Sequence, residues 1–69
     1  MKTKSAFIWG RHFTGHSVAL AGIEIPAGVE VEKKDGVFYV VPSFFKSGTI
    51  EHHDAVYYGC RVSPENVID

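Results

Sequence analysis

Residues 25–41 limit what this chain can fold into more than any other segment. Val29 and Val31 alternate with Glu30 and Glu32, so an extended chain there has one apolar face and one solvated face. After Lys33-Lys34, Asp35-Gly36 supplies the residues that tolerate positive φ, as a tight hairpin loop requires, and Val37 to Val41 then reads as the returning strand. Upstream, Ile25-Pro26-Ala27-Gly28 reads as the turn that feeds this hairpin.

The rest of the chain has similar punctuation. Glycines fall at 10, 15, 22, 28, 36, 48 and 59, with prolines at 26, 42 and 64, leaving no room for a long helix. Short strands separated by turn residues at this spacing indicate a small barrel or sandwich. Strands are expected at Ala6–Trp9, Val18–Ile25, Val29–Glu32, Val37–Val41 and Val56–Val62, the second of them bulged at Gly22. The expected core is Phe7, Val18, Leu20, Ile25, Val31, Tyr39, Val41, Val56 and Val62. Thr49 to Gly59 admits two readings. Thr49 suits a helix N-cap and Gly59 a helix stop, whereas Val56-Tyr57-Tyr58 favours a strand. Near the end, Ser63-Pro64-Glu65-Asn66 starts a short helical turn, and Val67 and Ile68 pin the chain end to the sheet.

A single domain spanning residues 1–69 is expected, with a core that supplies only about 3–5 kcal/mol unaided. One cysteine, Cys60, rules out an intrachain disulfide. In a strand, a small thiol of this kind is packing material; Cys60 with a nearby histidine is the only conceivable nucleophile and base pair, and it would need a pocket formed between subunits. Five Phe, three Tyr and one Trp are too many large rings for so small an interior, so some of them belong at an interface. Phe44-Phe45 follows Pro42 in a loop where both rings cannot point inward. Tyr57-Tyr58 should place one ring in and one out.

Charge is distributed unevenly. Residues 1–23 hold Lys2, Lys4 and Arg11 with no acid, while residues 24–69 hold four bases against eight acids. The basic third also carries Trp9 and His12, a composition able to meet an acidic partner. Lys2 and Lys4 fall in what reads as a frayed terminus. His12 and His16 are four apart but separated by Thr14-Gly15, which breaks a shared helical face. His52-His53-Asp54 has suitable ligand atoms but lacks a second ligand pair. Neither metal nor cofactor is therefore expected. Ala6-Phe7-Ile8-Trp9 is cut short by Gly10-Arg11-His12, so no membrane span or export signal is read there, and a cytoplasmic location is expected.

The turn and hairpin of residues 25–41, with the closing run Gly59-Cys60-Arg61-Val62-Ser63-Pro64-Glu65-Asn66-Val67, resemble an SH3-like small barrel. In SH3 domains the last strands are joined by a 3-10 turn, to which Pro64-x-Asn66 is similar. The resemblance covers roughly half of the chain and implies an all-β barrel of about five short strands. The Ala-Leu-Tyr-Asp-Tyr opening and tryptophan pair of eukaryotic members are absent, so a proline-peptide groove is not implied.

The function these features favour is that of a non-catalytic protein-interaction module. It is similar in size and build to the small accessory and inhibitor proteins of bacteriophages and other mobile elements. The expected contacts are Trp9, Arg11, His12, Phe44, Phe45 and Tyr58, with a homodimer or larger homo-oligomer expected from the surplus of rings. The alternative is a nucleic-acid-binding small barrel using Lys2, Lys4, Trp9, Arg11 and His12. A net charge of −1 and the lack of a basic stripe count against it.

Overall fold

The computed structural model describes residues 1–9, 20 and 22–69. Its strands are short: β1 (Lys2–Thr3), β2 (Phe7–Ile8), β3 (Glu24–Ile25), β4 (Val31–Lys34), β5 (Val37–Val40), β6 (Arg61–Val62) and β7 (Val67–Ile68). Between β5 and β6 lie a 3-10 turn, Pro42–Phe44, and one α-helix, α1 (Ile50–Tyr57); a second 3-10 turn, Pro64–Asn66, precedes β7. The strands form antiparallel sheets ordered β1-β7, β2-β3 and β4-β5-β6. The fold is therefore β-rich with one short helix, and the described residues do not close a barrel.

The hairpin forms as its sequence dictates. Val31 pairs with Val40 and Lys34 with Val37, leaving Asp35 (φ 52) and Gly36 (φ 81) as a two-residue loop. Both loop residues have positive φ, which matches the right-handed twist of the flanking strands. Val31 and Val40 are buried opposite one another. Glu32 pairs with Tyr39 on the other face, and the sheet extends from β5 to β6 with Tyr39 opposite Arg61.

Two polar side chains fasten the sheets together. Thr3, 1% exposed, accepts from the Val29 N–H through Oγ1 (3.0 Å) and donates from Oγ1 to the Pro26 carbonyl (2.8 Å). Its backbone N–H donates to Val29 O and its carbonyl accepts from Gly28 N–H, each at 2.9 Å. Asn66 faces Ser5: Asn66 Oδ1 accepts from the Ser5 N–H and hydroxyl, and Asn66 Nδ2 donates to the Ser5 carbonyl. The chain start is thus held by β7, by Asn66 and by the turn before the hairpin, and Lys2 bridges to Glu30. The expectation of a frayed N-terminus is corrected, because this segment's backbone groups are paired.

The ambiguity over residues 49–59 resolves in favour of the helix α1, Ile50–Tyr57. Thr49 Oγ1 accepts from the His52 N–H (3.1 Å) and Glu51 lies in the first turn, where an acid favours the helix N-terminus. At the far end Gly59, at φ 90, turns the chain out, and its N–H reaches the Asp54 carbonyl. Tyr39's ring lies so close that a Cβ at Gly59 would sit 2.7 Å from it. Position 59 therefore requires glycine both for its φ and for this contact. The strand expected over Val56–Val62 shrinks to Arg61–Val62, since Thr49 and Gly59 enclose the β-branched and aromatic residues within one capped helix. Leu20 and Gly22 lie in a turn, with the Ile23 N–H donating to Leu20 O, rather than in a bulged strand. Glu24–Ile25, the end of that expected strand, form β3, while Val18, Ala19 and Ala21 lie outside the described residues.

The core gathers Leu20, Ile25, Val31 and Val62 as expected, and adds Trp9, Val29, Val40, Phe45, Ala55 and Cys60. Phe7 packs against it, half-buried, whereas Tyr39 and Val41 reach intermediate burial and Val56 is 61% exposed. Val56 moves outward because the helix presents it on the side away from Asp54 and Ala55.

Candidate interaction surface

An α-helix of about 3.6 residues per turn places Ile50, His53, Val56 and Tyr57 along one side of α1. That side faces water. Ile50 is 66%, Val56 61% and Tyr57 74% exposed, while Asp54 and Ala55 are the buried residues of the helix. Amphipathic helices of small domains sort the other way. Within this outward side His53 stacks on Tyr57, ring centroids 5.6 Å apart and 15° between planes. Its Nδ1 lies 3.2 Å from Asp54 Oδ1. Tyr58, the C-cap, meets Tyr57 edge to face at 5.3 Å. The stacking holds the exposed rings in defined orientations.

The 3-10 turn Pro42–Phe44 packs beside α1 and extends the surface. Phe44 is exposed at its end, while Phe45 is buried and receives the edge-to-face contact of Phe44 at 5.1 Å. The expectation that both rings cannot point inward holds for this pair, with Phe44 the ring at the surface. For Tyr57-Tyr58 the expected division, one ring in and one out, fails: both rings are exposed, because both lie at the C-terminal end of α1, beyond its contact with the core.

Of the expected contact residues, Phe44 and Tyr58 are at the surface. Trp9 and Phe45 are corrected to core positions at 3% and 6% exposure. Trp9 is drawn inward as the β2–β3 pairing continues past the strand ends: its N–H donates to Ile23 O and its carbonyl accepts from the Gly22 N–H. Its indole N–H is buried without an acceptor among the described residues. Arg11 and His12 lie outside the described residues, as does His16. Ile50, Val56 and Tyr57 were missed as surface residues, although the spacing i, i+6, i+7 of large apolar side chains between a threonine cap and a glycine stop was available to find them.

A groove of about 300 Å³ runs between the C-terminal turn of α1 and the β4–β5 hairpin, with Tyr39, Tyr57 and Tyr58 among its walls. Cys60, beside it in sequence, is wholly buried, and burial pushes its thiol up to about 12. It is a packing group rather than a nucleophile at neutral pH. No group of three His, Cys, Asp or Glu able to hold a metal occurs among the described residues, and no helix among them is long and apolar enough to cross a membrane.

No protein-family model, curated protein or solved structure matches this chain.

Proposed function

We propose that this chain is a small non-catalytic interaction module, built on an SH3-like small barrel, that binds a protein partner through the outward side of α1. The observation that carries the reading is the inverted helix: Ile50, Val56 and Tyr57 exposed together, with Phe44 and Tyr58 adjoining. A solvated helix side composed of large apolar groups costs solubility and adds nothing to the core, so a covering chain is its physical justification. Tyrosine suits such a surface because it buries a wide apolar ring yet keeps a hydroxyl for water or a partner. A second copy is the simplest partner for this surface, since a self-complementary patch gives a closed dimer. Burial of Trp9 takes away the ring that a nucleic-acid reading most needed for stacking.

Sedimentation velocity of the native chain beside a Val56→Ser/Tyr57→Ser variant tests the reading. Native protein at micromolar concentration should sediment as a dimer or larger, and the variant as a monomer with unchanged thermal stability. Should the native chain remain monomeric, and should the proteins it captures from a lysate be unaffected by the substitutions, the reading fails. Salt-sensitive binding of mixed oligonucleotides, lost on neutralising Lys2 and Lys4, would replace it with the nucleic-acid alternative.

A further inference from the structure

The groove between α1 and the hairpin has a chemical character distinct from that of the helix side. Three tyrosine rings, those of Tyr39, Tyr57 and Tyr58, share its lining with the carboxylates of Glu32 and Asp35 and the ammonium of Lys34. Tyrosine faces carry the negative end of the ring quadrupole and attract cations. The two carboxylates outnumber the single ammonium. Lys34 Nζ lies 3.5 Å from Glu32 Oε1, and Asp35 makes no ion pair among the described residues. The helix contributes as well. Residues 55–57 of the last turn of α1 line the groove, and that turn contains no basic residue, so the negative end of the helix dipole borders the groove with no cation of its own element to offset it. Arg61 pairs across from Tyr39 on β6 but does not line the groove.

Resting on the interaction-module reading, we propose that this groove takes an arginine side chain presented by the protein partner. The planar, weakly hydrated guanidinium would stack on tyrosine faces while its N–H groups reach the Asp35 carboxylate, a combination that ammonium matches poorly. A groove of about 300 Å³ lies at the small end of ligand sites, the scale of one long side chain. Lys34 is the internal competitor, holding Glu32 until a guanidinium arrives. Phosphate groups are excluded by the same two carboxylates.

The test is an NMR titration of the native chain with acetyl-Gly-Arg-Gly-amide, and with counterparts carrying citrulline or lysine in place of arginine. Citrulline keeps the shape of arginine and loses its charge. The arginine peptide should shift the Tyr39, Tyr57 and Tyr58 resonances together and bind at least about threefold tighter than the citrulline peptide. Asp35→Asn, which keeps a residue tolerant of positive φ in the loop, should weaken binding about two- to fivefold, and Lys34→Gln should tighten it by a similar factor.

Equal binding of citrulline, indifference to Asp35→Asn, or shifts located elsewhere would overturn the assignment, and a lysine peptide that binds as tightly would overturn the preference for guanidinium. If the arginine peptide fails while Val56→Ser/Tyr57→Ser still abolishes association, the groove assignment falls and the helix reading stands. If the variant too has no effect on association, both fall.

Discussion

In the β4–β5 hairpin, Val31 and Val40 face each other inside the core, with Glu30 and Lys33 in solvent. In α1, Ile50, Val56 and Tyr57 face solvent, with Asp54 turned inward. The two regions are joined by one 3-10 turn and a short loop, and they share a core. Their difference shows that folding and exposure are decided separately along this chain. The hairpin's register is set by its apolar face, since a slip of one residue would turn Val31 or Val40 to water. The helix is set by its ends, Thr49 and Gly59, and only Ala55 of its apolar residues enters the core. Its remaining apolar groups, Ile50, Val56 and Tyr57, stay in solvent.

The contrast breaks first at Trp9. If Trp9 belongs to the core that the hairpin closes, Trp9→Ala should cost about 3–5 kcal/mol in denaturant unfolding and leave little folded protein. Trp9→Phe should cost much less, because it removes a buried donor that lacks an acceptor among the described residues. A Trp9→Ala chain that folds normally would return this residue to the surface.

Next in size is alkaline pH. Cys60 ionises near its ordinary value of 9.0 in the unfolded chain but only near about 12 when buried, so the native state holds the proton more tightly. Its contribution is intact below pH 9.0 and is lost as pH rises through the folded value. Stability should fall there by about 1.4 kcal/mol per pH unit, a slope that Cys60→Ala should remove. Equal slopes in the two proteins would show that the thiol is not desolvated.

The same substitution made in each region sharpens the comparison. Val40→Ala deletes two buried methyl groups and should cost about 2 kcal/mol. Val56→Ala deletes two exposed ones and should change stability by no more than about 0.5 kcal/mol, since alanine is also the better helix former. Association should respond in the opposite order, with Val56→Ala weakening it and Val40→Ala acting only through unfolding. Chemical denaturation and sedimentation on both variants read the two effects separately.

How much of this was legible in the sequence follows from the range of the interactions. The hairpin, its loop and the C-terminal 3-10 turn rest on neighbours within a few residues, and each was readable from side chains alone; that Phe44 and Phe45 cannot both point inward was readable too, but not that Phe45 is the buried one. Helix or strand for residues 49–58 was undecidable locally, because caps argued one way and β-branched and aromatic residues the other. Trp9 was misplaced because its burial depends on Gly22 and Ile23. Thr3 and Asn66 carried no signal, since a threonine and an asparagine become fastenings only when residues 26–29 and 5 are brought beside them.

The fastening of Thr3 has a kinetic consequence. Residues 2 and 3 pair with residues 67 and 68, and Thr3 also holds the turn at residues 26–29, so the first strand's partners lie far along the chain. Contacts of such wide separation must close large loops before they return any stabilisation. The hairpin can form early from its own residues, but the sheet containing β1 cannot be completed until the residues of β7 are present. Folding should therefore be slow for a chain of this length, and on the ribosome it should wait for the last strand to emerge.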